Sequence, residues 1–313
     1  DIDLKPWLGK WMQDNIALET AQFSLEGWMT IDKGDVTGGD VWLKQGGASW
    51  LGEKETHTLS VDNLTAHITR ENPGWQFSIP DTRITMGGKP WPSGALTLAW
   101  IPEQDVGGKD NKRSDELRIR ASNLELAGLE GVRPLVAKLS PALGDVWRST
   151  QPSGKINTLA LDIPLQAADK TRFQASWSDL AWKQWKLLPG AEHFSGTLSG
   201  SVENGLLTAS MKQAKMPYET VFRAPLEIAD GQATISWLNN DKGFQLDGRN
   251  IDVKAKAVHA RGGFRYLQPA NDEPWLGILA GISTDDGSQA WRYFPENLMG
   301  KDLVDYLSGA IQG

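Results

Sequence analysis

The sequence contains no cysteine, which removes disulfides, thiolate metal sites and cysteine nucleophiles together. Histidine is scarce as well. The four present, His57, His67, His193 and His259, show neither H-E-x-x-H nor a paired ligand spacing, and a solvated strand face is the expected home for each. Positive charge is not in excess: 32 Lys and Arg stand against 39 Asp and Glu, a net charge of −7. That is the wrong sign for a protein that lives on phosphates, so nucleic acid is not an expected partner. No apolar run approaches the roughly 18 residues needed to span a bilayer; the longest candidate, Trp275–Ile282, is far shorter. Motifs that carry chemistry are missing too. There is no phosphate-cradling G-x-x-x-x-G-K-[ST], no strand followed by G-x-G-x-x-G, and no G-x-S-x-G elbow. The nearest string, Gly196-Thr197-Leu198-Ser199-Gly200, has its serine one place late. Asp285 and Asp286 are adjacent on a turn and point to different sides, unlike the paired acids of glycoside hydrolysis. No catalytic residue, cofactor or metal is therefore expected.

What is present is alternation. Leu64, Ala66 and Ile68 alternate with Thr65, His67 and Thr69; Trp75, Phe77 and Ile79 alternate with Gln76 and Ser78. The same period of two recurs in Leu96, Leu98 and Trp100, in Phe173, Ala175 and Trp177, in Leu207, Ala209 and Met211, in Ala233, Ile235 and Trp237, and in Ile251, Val253, Ala255 and Ala257. Antiparallel strands with one wet face read this way. Turn signals punctuate them: Gly38-Gly39, Gly46-Gly47, Asn72-Pro73-Gly74, Gly87-Gly88, Asn204-Gly205, Asp230-Gly231 and Asp286-Gly287. Glu103–Glu116 has no apolar period and is expected to be a loop.

The helical period appears in two places. Leu135, Val136 and Leu139 lead to Ser140, a capping residue before Pro141, after which Leu143, Val146 and Trp147 share a face. Leu303, Tyr306, Leu307, Ala310 and Ile311 follow i, i+3, i+4, i+7, i+8. Pro6–Asp14 is a third short candidate. No βαβ alternation supports a parallel sheet. The 15 tryptophans admit two readings. In one, Trp28, Trp75, Trp100, Trp177 and Trp237 fill a sandwich core. In the other, a long sheet shows one continuous apolar face to an apolar ligand, and alternation alone does not separate the two.

At the C-terminal third the residues become specific. Gln184-Trp185-Lys186-Leu187-Leu188-Pro189-Gly190, Phe194–Gly200, Ala224-Pro225-Leu226 with Gly231 and Trp237, and the closing Trp291-Arg292-Tyr293-Phe294-Pro295 with Met299, Leu303, Tyr306, Leu307 and Ala310 resemble the YhdP family of AsmA-like proteins. Leu117–Leu139 and Pro152-Ser153-Gly154 add to a likeness that covers most of the chain.

The resemblance implies a mainly β fold: a long curled antiparallel sheet forming an apolar groove, with a few short helices. Residues 1–313 would be one continuous groove segment of a larger protein, with a sub-boundary near residues 128–154. It further implies the periplasmic portion of a protein anchored in the inner membrane outside this segment. That protein would conduct phospholipid toward the outer membrane without enzymatic chemistry. The side chains expected to line the groove are the regular apolar alternates Leu64, Ile68, Trp75, Phe77, Ile79, Leu98, Trp100, Phe173, Trp177, Leu207, Met211, Ile235, Trp237, Ile251 and Val253. Each sheltered methylene is worth about 0.8 kcal/mol, so two acyl chains need on the order of 20 kcal/mol of cover outside a bilayer. Two other classes stay open. One is an assembly chaperone for outer-membrane proteins that adds strands to a sheet edge. The other is a glycan-binding β protein with tryptophan platforms.

Overall fold

The computed structural model describes residues 2–6, 17–52, 55–105, 112–113, 115–134, 137, 141–186, 188–222, 225–288, 293 and 299–310. The fold is mainly β. Among the described residues seventeen strands belong to one antiparallel sheet, and two more form a separate hairpin. The chain divides into two compact units: residues 1–147 with 155–175, and residues 148–154 with 176–313.

The first unit begins with β1 (Ile2–Asp3), β2 (Ala17–Asp32), β3 (Asp35–Leu51) and β4 (Thr56–Arg70), joined as successive antiparallel neighbours. One end of β4 pairs with β5 (Trp75–Ile79), and its other end pairs with β6 (Ile84–Met86), which pairs with β7 (Lys89–Pro90). β8 (Leu96–Ile101) lies against β5, β9 (Gln104–Asp105) and β10 (Lys112–Arg113) form the hairpin, and β11 (Glu116–Glu125) joins β8 to β12 (Ser153–Pro164). The stretch expected to be a loop therefore carries a short two-stranded pairing. Its core gathers Ala21, Phe23, Val61, Leu64 and Ala66.

The second unit takes up the end of β13 (Arg172–Trp182). It continues as a meander of β14 (Ala191–Ser201), β15 (Asn204–Met216), β16 (Leu226–Asn240), β17 (Gly243–Ala255), β18 (Val258–Pro269) and β19 (Trp275–Thr284), each strand pairing with the next from β14 onward.

Four turn expectations need correction. Gly38-Gly39 and Gly46-Gly47 lie inside β3, Asn204-Gly205 inside β15 and Gly231 inside β16 rather than between strands. The reason is space. A Cβ on Gly46 would lie 2.6 Å from the Phe23 ring on the opposite strand, and one on Gly39 would lie 2.7 Å from the Trp28 carbonyl. These glycines allow close approach within the ladder instead of reversing the chain. The β2–β3 reversal is at Lys33-Gly34, both with positive φ. Gly87-Gly88 does form the expected turn, with φ of 55° and 75°.

Helix α1 (Pro141–Thr150) starts with the proline at its first position, as the sequence indicates; Leu135, Val136, Leu139 and Ser140 lie outside the described residues, as does Trp7–Asp14. Helix α2 (Lys301–Ala310) forms where expected but turns a different face inward. Val304 is fully buried, whereas Leu303 and Tyr306 are exposed. A periodicity rule scores Val304 and Leu303 alike, and only the packing distinguishes them.

Candidate functional site: an apolar sheet face

Directly opposed residues in an antiparallel ladder share a face, so the registers decide where the alternating side chains go. In the first unit Gly39, Ile68, Phe77, Leu98, Ile119 and Leu161 are successive partners across six strands. Alongside runs Trp75, Trp100, Leu117 and Ile163, and on the other flank Ile79, Leu96, Ala121 and Leu159. Leu64 opposes Leu43 on the same face, next to the core cluster. All seven expected residues of β4, β5 and β8 therefore fall on one side.

The second unit repeats the arrangement. Leu207, Ile235, Gly248, Phe264 and Ile278 form one row; Gly205, Trp237, Leu246, Tyr266 and Leu276 form the next; Met211, Gly231, Val253, Ala260 and Ile282 form a third. Ile251 opposes Gly262 on that face. Trp177 joins it by stacking on Phe194 at 5.7 Å, with Phe194 opposite Met211. Phe173 is half-buried on β13, in the part of that strand that belongs to the first unit.

This face is not sealed like a core. Of the expected residues only Leu64 and Trp177 are buried; Ile68 and Trp100 are 37% and 43% exposed, and the others are half-buried. The exposure rises on β19, where Ile278 is 70% and Ile282 69% exposed. Trp28 departs from both tryptophan readings: it opposes Asp40 and lies on the polar side.

The other face is polar and closely paired. In the first unit Lys44 is bonded to Glu26, Arg118 Nε donates to Glu116 at 2.5 Å, and Arg120 donates to Asp162 at 2.6 Å. In the second, the Thr197 and Thr208 hydroxyls meet at 2.6 Å. Asp247, with only 9% of its side chain exposed, accepts from Arg265 Nε at 2.6 Å and from Gln245. The Arg265 hydrogen bond holds its carboxyl below the usual carboxylate range, against the opposing effect of burial. His67, His193 and His259 each meet an aspartate, Asp40, Asp179 and Asp252, at 2.5, 2.5 and 2.6 Å. A cavity of about 750 Å³ between the rows Thr208-Thr234 and Ser210-Gln232-Asp252 is thus framed by polar side chains. Among the described residues no cluster of three His, Asp or Glu could hold a metal.

A feature missed in the sequence keeps the faces separate. Six strands contain a polar residue with positive φ: Asn63, Asn123, Asp179, His193, Gln213 and Asn250. Each stands two places after one apolar or glycine position and one before the next, as in Val61-x-Asn63-Leu64 and Met211-x-Gln213-Ala214. Val61 and Leu64 both enter the core cluster although three residues apart, and Trp177 and Trp182 both contact Phe194 although five apart. A left-handed residue slips the alternation by one and returns the apolar side chains to the same side. Asn, Asp and His tolerate that conformation best, which is the legible trace of it.

The model of the YhdP protein family matches residues 1–313. The chain belongs to the YhdP family. It is 98% identical over 313 residues to the intermembrane phospholipid transporter YhdP of Escherichia coli (strain K12), covering all of this chain and 25% of that protein. The chain thus spans about a quarter of the length of this YhdP relative. No solved structure matches it.

Proposed function

We propose that this chain is one continuous section of an envelope protein that carries phospholipid between membranes. Acyl chains lie against the apolar face, the sheet curls so that this face lines a groove, and head groups stay in water. The section shelters its cargo and catalyses nothing. It works from the periplasm, and contact with the inner and outer membranes belongs to parts of the protein outside it. The observation that carries the reading is the set of cross-strand apolar rows whose members are half-buried or exposed instead of sealed in a core. The 98% identical relative is named an intermembrane phospholipid transporter. No helix among the described residues is long and apolar enough to cross a membrane.

The test uses adjacent residues on β19. Ile278 and Leu279 are 70% and 82% exposed, and they point to opposite faces because their partners are Phe264 and Gly263. Native mass spectrometry with lipid extraction, on the full-length protein purified without added detergent, should find phospholipid. Occupancy should fall in Ile278→Asp and hold in Leu279→Asp. Equal occupancy in the two variants, or a lipid-free wild type, would sink the reading.

A further inference from the structure

Aromatic rings on the apolar face lie across glycines of the neighbouring strand. Trp237 is the direct partner of Gly205, and a Cβ placed on Gly205 would fall 2.1 and 2.2 Å from Trp237 Cζ2 and Cη2 and 2.8 Å from the Ser199 carbonyl oxygen. The indole N–H donates to the Ser201 carbonyl at 3.0 Å, which holds the ring over β15. Phe264 is the direct partner of Gly248, and a Cβ there would meet Cε1, Cδ1 and Cζ at 2.2, 2.5 and 2.9 Å. In the first unit a Cβ on Gly46 would meet the Phe23 ring at 2.6 Å, but also the Gln22 carbonyl oxygen at 2.5 Å and Phe23 Cα at 2.7 Å, so there the opposing backbone requires glycine as much as the ring does. Carbon atoms in contact sit about 3.5–4.0 Å apart, so a methyl group at Gly205 or Gly248 evicts the ring. Such pairs help to fix strand register, but register alone does not need the ring on a half-exposed face.

We propose that Gly205 and Gly248 are positioning residues for lipid passage: by giving the Trp237 and Phe264 rings room to lie across the sheet, they keep the apolar wall low where acyl chains cross it. The inference rests on the phospholipid-carrying role proposed above. A flattened ring leaves the rows Leu207-Ile235-Gly248-Phe264 and Gly205-Trp237-Leu246 without an upright obstacle. A raised ring would stand in the path of a chain while adding apolar surface, so it would slow movement without lowering occupancy.

The experiment measures transfer of a fluorescent phospholipid between donor and acceptor vesicles by the full-length protein, with bound lipid counted by native mass spectrometry. Gly248→Ala should slow transfer about fivefold, the effect of about 1 kcal/mol on a barrier, at unchanged occupancy. Adding Phe264→Ala should restore the rate. Gly205→Ala, rescued in part by Trp237→Leu because the Ser199 carbonyl also crowds that position, gives a second pair should the first variant not fold. Wild-type transfer rates in both glycine variants, double variants as slow as the singles, or failure of both glycine variants to fold would each overturn the proposal. A wild-type protein that holds no phospholipid would instead overturn the functional reading, and this inference with it.

Discussion

Asp247 concentrates the electrostatics of the polar face on a single carboxylate. It is the least exposed member of the described acid-base pairs in the second unit, with Arg265 directly opposite and Arg249 at 3.9 Å. Burying a charge is tolerable only with such partners, and removing one of them leaves the other stranded. Because the pKa is lowered in the folded state, the stabilising contribution is complete above the usual carboxylate pKa. It is lost as pH falls through the depressed folded value. Asp247→Asn should therefore cost about 2 kcal/mol at neutral pH, measured by urea unfolding, and the gap from wild type should close in strong acid. A gap that persists below pH 2 would show that shape, not charge, is what the carboxylate supplies. Arg265→Ala should cost at least as much, since it strands the nearly buried Asp247 carboxylate, whereas the half-exposed Arg265 head group can return to water when Asp247 is replaced.

At the scale of the strand, the left-handed residues determine whether alternation reaches a useful end. Asn63→Val should destabilise by about 1–2 kcal/mol, because a β-branched side chain resists positive φ; Asn63→Gly should be close to neutral or stabilising. Calorimetry on the two variants separates backbone strain from loss of the amide side chain, and equal destabilisation by both would argue against strain. The same feature explains what was readable in the sequence. Short runs such as Trp75–Ile79 and Leu96–Trp100 contain no slip, so period two placed Trp75, Phe77, Ile79, Leu98 and Trp100 on one face without a structure. The registers then joined them across β5 and β8. Longer strands defeat a single phase: Val61 and Leu64 have opposite parity yet share a core. The glycine pairs in β3 resembled turns for a related reason, since the sequence shows flexibility but not the ring or carbonyl that requires it. Helix α2 was legible as a helix and not in its facing, because Val304 and Leu303 differ only in what surrounds them.

At the scale of the whole molecule, the proposed carrier role makes the contrast between faces a prediction about selectivity. Among the described residues the apolar rows contain no charged side chain beyond Arg70, the partner of Trp75, which pairs with Asp35, while Lys44–Glu26, Arg118–Glu116, Arg120–Asp162 and Arg265–Asp247 pair on the opposite side. On that proposal a lipid held by such a wall would be recognised through its chains, with its head group in solvent. Affinity should rise with acyl length, by up to about 0.8 kcal/mol for each methylene sheltered, and change little between zwitterionic and anionic heads. The net charge of −7 works weakly against anionic lipid, an effect that about 0.15 M salt screens beyond some 8 Å. Competition between phospholipids of different length and head group for the full-length protein, read as the lipid ratio in native mass spectra at that salt, measures both dependences together. Preference should follow chain length until the chains outgrow the apolar rows. A dominant head-group preference with flat length dependence would place recognition on the paired polar side chains, and the apolar face would then be no more than structural.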